Sequence, residues 1–167
     1  SASITVLQPI MSALSKTTNP SIPSGSYYDT SNPIQFHLQA CNTGGLAPAY
    51  SVVFSDTLAP EFDETSITGL TVTINGAATI PADYTYVPPA GLGGTFTLTL
   101  NKGIDPGLCA AVDFSVGFHN PVASPSSWNN AVSLTEYWSL PLVSGQQYAP
   151  LGPVLFALNN AVVIVTP

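Results

Sequence analysis

The sequence predicts an all-β protein, an antiparallel β-sandwich of Greek-key type with about seven to nine strands. Apolar and polar residues alternate with period two in many short runs, as they do in strands with one buried face. Turn-rich segments separate these runs, and the 167 residues include 16 Pro and 13 Gly. Sustained apolar spacing at i, i+3, i+4 and i+7, which would predict helices, is missing from the sequence.

Six alternating runs predict the strands of the sandwich in chain order. Two of them, Leu-Thr-Val-Thr-Ile-Asn and Thr-Phe-Thr-Leu-Thr-Leu, carry Thr on the face that water can reach. In the last run, Val132, Leu134 and Trp138 lie at alternate positions, which predicts that they face the core. The runs span residues 34–40, 52–54, 70–75, 95–100, 110–116 and 132–138.

The two ends of the chain carry similar apolar stretches. The tetrapeptide Asn-Asn-Ala-Val occurs at 129–132 and again at 159–162, and it opens an apolar stretch each time. We interpret these stretches as the last two strands of one sandwich, joined by the Pro-rich segment 137–153. The sandwich domain is then expected to span residues 11–167, with residues 1–10 as an N-terminal extension.

The N-terminal extension has the pattern of a further strand. Ala2, Ile4 and Val6 lie on one face, opposite small polar residues. An uncharged apolar strand left unpaired in water is an aggregation hazard, so a partner is expected. The partner could be its own sheet, a preceding module of which it is the last strand, or a neighbouring subunit. We favour donation to a neighbouring copy by β-augmentation, which builds a head-to-tail homopolymer.

Charge and hydropathy exclude two classes of partner. The chain has two Lys, no Arg and nine acidic residues, for a net charge of −7, so binding to nucleic acid or to anionic membranes is not expected. The longest apolar runs hold five residues, whereas a spanning helix needs about 20, so no membrane span is expected. Because the N-terminus lacks a basic segment, we expect a secreted, extracellular or cell-surface protein whose signal peptide has been removed.

The two cysteines predict a disulfide. Cys41 ends one predicted strand and Cys109 begins another, and in a Greek-key sandwich the ends of such antiparallel neighbours meet. The bridge would close a loop of about 70 residues and contribute on the order of 4 kcal/mol to stability. Two buried thiols are the alternative, although a disulfide suits an extracellular protein better.

Strand alternation also places a lysine inside the sandwich. Ile10, Leu14 and Lys16 share one side of the first strand, so Lys16 is expected to project toward the core. Glu136 lies at an inward position of the last alternating run. The two opposite charges are therefore expected to meet in the core, where unpaired charges are rare.

A buried lysine and a buried carboxylate have two explanations. One is an ordinary Lys16–Glu136 salt bridge, or a lysine that extends out to water at the strand end. The other is an isopeptide bond, formed when the neutral lysine amine attacks an Asn amide while the buried carboxyl shuttles protons. The acceptor would be Asn160, or Asn130 on the neighbouring strand.

No catalytic or metal-binding constellation is recognised in the sequence. His37 is expected on the polar face of its strand, and His119 lies in no motif. A group of acids near one turn lacks the spacing of a calcium loop and predicts a solvated acidic loop. These acids are Asp56, Glu61, Asp63 and Glu64. We therefore expect no enzyme activity, no metal ion and no cofactor.

Several segments resemble an extracellular repeat family, the domain of unknown function eleven. The family's opening is similar to LSKTTNPSIPSGS, and its next section is similar to IQFHLQACNTGGLAPAYSVVFSDTLAPEF, where an Asn-Thr-Gly turn precedes a Val-rich strand. Its last two strands are similar to NNAVSLTEYWSLP and NNAVVIVTP. The chain departs from the pattern in its cysteine pair and in Ala59. The resemblance implies an immunoglobulin-like module of a bacterial or archaeal surface protein, with a structural or adhesive role.

These features together predict a structural subunit of an extracellular filament, a pilus or a cell-surface stalk, assembled through its N-terminal strand. The alternative is an adhesin or carbohydrate-binding module of a larger tandem-repeat surface protein, with other surface proteins or glycans as partners. In that case the aromatic pairs at 27–28, 84 and 86, and 137–138 could form a sugar-stacking platform, although sandwiches also use such residues as core and edge fillers.

Overall fold

A computed structural model describes residues 3, 7–11, 13–19, 29–119, 126–141 and 161–165 of the chain. These residues form ten β-strands and one 3-10 turn, Pro81–Asp83, without an α-helix. The strands are β1 (Ala13–Asn19), β2 (Ile34–Cys41), β3 (Tyr50–Thr57), β4 (Phe62–Ile74), β5 (Ala77–Ala78), β6 (Tyr84–Val87), β7 (Thr95–Leu100), β8 (Cys109–Phe118), β9 (Ser126–Trp138) and β10 (Ala161–Val165). Within this part of the chain, no helix is long and apolar enough to span a membrane.

The strands form two five-stranded sheets, as the predicted all-β sandwich requires. One sheet has the order β1-β2-β8-β4-β5, and the other has the order β10-β9-β3-β7-β6. Neighbouring strands are antiparallel in both sheets. Strands that are distant in sequence, such as β2 and β8 or β3 and β9, lie side by side, so the chain crosses between sheets in the manner of a Greek key. The predicted fold class is confirmed. The ten strands of the described residues are one more than the upper end of the predicted seven to nine, and the two-residue β5 is too short to show alternation.

The core lies between the two sheets and follows the sequence alternation. Buried and half-exposed residues alternate along β2 from Ile34 to Ala40 and along much of β8. Rings from both sheets meet in the middle: the centroids of Phe96 and Phe114 are 5.1 Å apart in an edge-to-face arrangement, and those of Phe36 and Phe114 are 5.5 Å apart. Such aromatic pairs contribute packing energy beyond their buried area.

Alternation fails in β9 because this strand contains a bulge. Phe54 of β3 is opposite Leu134, but the residue before Phe54 is opposite Glu136, so β9 has one extra residue at this point. Side chains beyond the bulge therefore exchange faces. Tyr137 is buried, with 5% of its surface exposed, whereas Trp138 is only half-buried and Glu136 is exposed. The predicted inward positions of Trp138 and Glu136 are wrong for this reason.

The end of the N-terminal extension is held by the loop that follows β2. The N–H group of Ile10 donates to Asn42 Oδ1 at 3.0 Å, and the N–H group of Leu46 donates to the carbonyl of Gln8 at 3.0 Å. Gly45 permits this approach, because a Cβ there would lie 2.7 Å from backbone atoms of the extension.

The extension differs from the predicted strand in the part that the structure describes. Pro9 and Met11 are buried, while Ile10 precedes β1 and is 48% exposed, so its predicted core position is wrong. The candidate donor residues Ala2, Ile4 and Val6 lie outside the described residues.

Candidate functional site

Lys16 projects from β1 into the core and pairs with Asp56 of β3. Its Nζ forms a hydrogen bond and an ion pair with Asp56 Oδ2, and both side chains are fully buried. The pair joins the two sheets, because β1 and β3 belong to different ones. Apolar rings surround the amine: Nζ lies 4.5 Å from the ring centre of Phe36 and 5.8 Å from that of Phe114. The predicted inward position of Lys16 is confirmed.

The predicted Lys16–Glu136 pair is wrong. Glu136 lies just past the bulge in β9, where its exposed side chain accepts a hydrogen bond from the indole N–H of Trp138. One inserted residue reverses the face of every later side chain in a strand, so sequence alternation pointed to the wrong carboxylate.

Asp56 is the residue that the sequence analysis missed. Grouping it with the acids of the following turn predicted a solvated position, but its side chain is completely buried. Phe54 and Leu58, two residues to either side, are both buried. That alternation was visible in the sequence, and it indicated an inward-facing carboxylate more directly than proximity to other acids did.

Burial shifts the pKa values of both partners toward their neutral forms. The pKa of Lys16 falls from 10.5 to about 8, because loss of contact with water outweighs attraction to Asp56. The pKa of Asp56 is raised above its ordinary 3.8, again chiefly because the carboxyl is removed from water. A lysine with a lowered pKa beside a carboxyl with a raised pKa has the chemistry of a nucleophile with a proton donor.

Asn130 of β9 supplies a third buried polar side chain. The residue is 0% exposed, and neither Nδ2 nor Oδ1 has a hydrogen-bond partner among the described residues. A buried polar group left unpaired costs about 1–3 kcal/mol, so an amide in this state needs an explanation.

The register of the sheet brings Asn130 close to the ion pair. Asp56 is opposite Val132 in the β3–β9 ladder, which makes Asn130 its diagonal neighbour on the inner face. The Cα atoms of such diagonal pairs lie about 7–8 Å apart. Strands β1 and β9 also contact each other across the sandwich. Asn160, the other predicted acceptor, lies outside the described residues.

The predicted disulfide is present at the end of the same core. Cys41 of β2 is directly opposite Cys109 of β8, and their Cα atoms are 4.0 Å apart. The bridge links residues 68 positions apart in sequence and ties together two adjacent strands of one sheet.

Both histidines pair with carboxylates outside this core. His37 lies on the polar face of β2, as predicted, with Nδ1 2.8 Å from Asp113 Oδ1. His119 follows β8, and its Nε2 lies 3.1 Å from Glu64 Oε2.

The solved structures that share this architecture include backbone subunits of bacterial pili. The full-length major pilin SpaD from Corynebacterium diphtheriae matches with a TM-score of 0.55 at 19% identity, over 72% of this chain and 29% of that one. The major pilin subunit BcpA of Bacillus cereus matches with a TM-score of 0.54 at 15% identity, over 92% and 40%. The pilus backbone protein RrgB from Streptococcus pneumoniae matches with a TM-score of 0.52 at 16% identity, over 77% and 53%.

This chain has a pilin-like fold. At these identities the likeness concerns the fold alone, and the chain spans 29% to 53% of the length of these pilins. No protein-family model matches the chain, and no curated protein matches it significantly. Membership in the domain-of-unknown-function-eleven family therefore stays a prediction.

Proposed function

We propose that the protein is a non-enzymatic structural module of an extracellular filament, a pilus or a cell-surface stalk. The buried cluster of Lys16, Asp56 and Asn130 carries this proposal. It lies between the first strand of one sheet and the penultimate strand of the other, so a covalent bond there would lock the two sheets together. A locked sandwich unfolds slowly under tension, which is the property that a filament subunit needs. The pilin-like fold supports the same role.

The proposed bond is an amide between Lys16 and Asn130. Neutral Lys16 Nζ attacks Cγ of Asn130, while protonated Asp56 donates a hydrogen bond to the amide oxygen. The proton released by the amine passes through Asp56 to the amide nitrogen, which leaves as ammonia. One C–N bond forms, one C–N bond breaks and Asp56 is regenerated. Burial favours the reaction because removal from water lowers the pKa of the amine to about 8, so the neutral, nucleophilic form is easier to reach.

Intact-mass spectrometry tests this bond directly. We expect the wild-type protein to be lighter than its sequence and disulfide require by one ammonia, about 17 Da. The variants Lys16→Met and Asn130→Ala should each show the full mass of their own sequences, whereas Asn160→Ala should keep the loss. A full mass for the wild type contradicts the proposal. A loss that survives Asn130→Ala but disappears in Asn160→Ala moves the acceptor to Asn160.

We also propose that copies of the chain assemble head to tail by donating the N-terminal strand. Hydrogen bonds to the loop after β2 hold Gln8 and Ile10, so the donated part would be residues 1–6, with Ala2, Ile4 and Val6 as its apolar face. Negative-stain microscopy of the wild type should show filaments, and deletion of residues 1–6 should leave soluble monomers. Filaments that persist after this deletion would rule out strand donation without affecting the crosslink.

The adhesin or carbohydrate-binding alternative has no specific support among the described aromatic residues. Tyr84 and Tyr86 are partly buried and pack against the core, Tyr137 is buried, and the half-buried Trp138 donates its indole N–H to Glu136. The aromatic pair at 27–28 lies outside the described residues. An extracellular or cell-surface location is part of the proposal, and a disulfide is typical of proteins in such oxidising surroundings.

A further inference from the structure

One histidine and two carboxylates form a second polar cluster, where the beginning of β4 meets the end of β8. The cluster contains Asp63, Glu64 and His119, and their ligand-capable atoms all lie within 4.8 Å of one another. Within the cluster, His119 Nε2 lies 3.1 Å from Glu64 Oε2. The antiparallel β4–β8 ladder holds the two segments together, and Asp63 is opposite Gly117 in it.

Neighbouring residues hold the cluster in place. Thr65 donates its backbone N–H at 3.0 Å and its hydroxyl at 2.6 Å to Asp63 Oδ1. These bonds orient the carboxylate and leave Oδ2 for another ligand. The rings of Phe62 and Phe118 pack 4.9 Å apart on the same pair of strands. Ligands that are already oriented lose less entropy when an ion binds.

The cluster has more negative charge than the chain can balance. The Glu64 side chain is only 12% exposed. Three residues before Glu64, Glu61 has a buried Oε2 without a hydrogen-bond partner among the described residues, and its carbonyl accepts the backbone N–H of His119 at 2.9 Å. Both lysines of the chain are committed elsewhere, one to Asp56 and the other to Asp83. The sequence has no Arg and His37 pairs with Asp113, so His119 is the basic side chain at this cluster, and a cation from solution would add to the charge balance.

We propose that Asp63, Glu64 and His119 bind a divalent transition-metal ion, Zn²⁺ by preference. Zn²⁺ takes imidazole nitrogen and carboxylate oxygen at about 2.0–2.2 Å, so two ligand atoms on a tetrahedral ion are about 3.3 Å apart. The His119–Glu64 separation of 3.1 Å is close to this value, and the Asp63 carboxylate lies within 4.8 Å of both ligand atoms.

The ligand set also selects the ion. Ca²⁺ takes about six to eight oxygen ligands, and an imidazole nitrogen does not suit it. Imidazole with carboxylates suits zinc and its neighbours in the first transition series. Three protein ligands leave a fourth position for water or for a group from another molecule. The metal would pin the start of β4 to the end of β8.

Calorimetric titration of the metal-free, full-length chain with Zn²⁺ tests the site. We expect one ion per chain and negligible heat with Ca²⁺ at the same concentration. The variants His119→Gln and Glu64→Gln should each lower the Zn²⁺ affinity by about tenfold or more. The matched control is His37→Gln, which removes an imidazole that is paired with one carboxylate only, and it should bind Zn²⁺ like the wild type.

Several results would overturn the proposal. These are absence of Zn²⁺ binding by the wild type, unchanged affinity in His119→Gln, or an equal loss in His37→Gln. Circular dichroism checks that each variant is folded. If a variant does not fold, visible absorption of Co²⁺ bound to the wild type reports the ligands instead, and a spectrum without imidazole coordination would also overturn the proposal. None of these measurements depends on filament formation or on the Lys16–Asn130 bond.

Discussion

At the scale of single residues, burying Lys16 in the core carries a free-energy cost that its surroundings must offset. It is one of two lysines in a chain without Arg, and its side chain is fully buried. Removing a charge from water costs several kcal/mol per ion, and only a well-placed partner offsets that cost. Asp56 is this partner, and the nearby aromatic rings add a cation–π contribution. Losing one member of the pair should therefore be worse than losing both.

Replacing Asp56 tests the identity of the partner, and every variant here is made and compared in an Asn130→Ala background, where Lys16 keeps its amine. Asp56→Ala leaves the Lys16 amine unpaired in the core and should lower the free energy of unfolding by about 3–5 kcal/mol, as measured by urea denaturation. The matched control, Glu136→Ala, removes an exposed carboxylate and should change it by less than about 0.5 kcal/mol. In the double variant Lys16→Met/Asp56→Leu, the loss should be smaller than in Asp56→Ala. If Asp56→Ala and Glu136→Ala lowered the free energy of unfolding equally, Asp56 would not be the specific partner of Lys16.

The lowered pKa of Lys16 predicts an unusual pH dependence. In Asn130→Ala, where the amine cannot be acylated at Asn130, stability should rise between about pH 8 and pH 10 by on the order of 2 kcal/mol. The pKa of Lys16 is about 8 in the folded state and 10.5 as a model value, so in this window the unfolded chain holds a proton that the folded chain has released. Chemical denaturation at several pH values measures the effect.

The control for this experiment is Lys16→Met/Asn130→Ala, which should lack the rise. At higher pH the raised pKa values of Tyr86 and Tyr137 make stability fall as the pH increases. The reason is that the folded state then holds protons that the unfolded state has lost. Parallel profiles for the two proteins between pH 8 and pH 10 would show that the pKa of Lys16 is not lowered.

At the scale of elements, the success of sequence reasoning depended on the regularity of each strand. Strands β2 and β8 run without bulges against each other, so period-two alternation predicted their buried faces. Strand β9 contains a bulge, and the alternation after Leu134 pointed to the wrong side. A bulge is set by the pairing of two strands rather than by either strand alone, so the sequence of β9 did not reveal it.

The loop after β2 provides a prediction at the same scale. Gly45→Ala would place a Cβ 2.7 Å from backbone atoms of Pro9 and Ile10, and it should cost about 1–3 kcal/mol through overpacking. The extension should then detach, so hydrogen exchange at the amide of Leu46 should become faster. In the matched control, Gly44→Ala, the new Cβ lies 3.4 Å from the side chain of Ile10, and we expect little change. Similar exchange rates in both variants would show that this contact does not hold the extension.

At the scale of the whole molecule, two kinds of tether act on different parts of the sandwich. The disulfide joins neighbouring strands within one sheet, whereas the Lys16–Asp56 pair connects one sheet to the other. The disulfide lowers the conformational entropy of the unfolded chain, whereas the ion pair holds the two folded sheets in contact. Their effects on stability should therefore be nearly additive.

The disulfide should contribute a large share of the overall stability. The bridge joins residues 68 positions apart, and the chain-entropy model gives about 4 kcal/mol for a loop of this size. Cys41→Ala/Cys109→Ala should lower the free energy of unfolding by roughly that amount. A reducing agent should destabilise the wild type to a similar degree and leave the variant unchanged. A double variant as stable as the oxidised wild type would contradict this assignment.

The sequence alone was sufficient for the all-β class, the disulfide and the inward position of Lys16. These depend on period-two alternation and on residue type, which are local properties of the chain. The tertiary structure decided which groups meet. Lys16 and Asp56 are 40 positions apart, and Glu64 and His119 are 55 apart. Such residues become neighbours only when strands pair in a particular register and two sheets stack, and a single bulge changes the outcome. For that reason the partner of Lys16 is Asp56 and not the predicted Glu136. The same packing leaves Asn130 buried without a hydrogen-bond partner among the described residues.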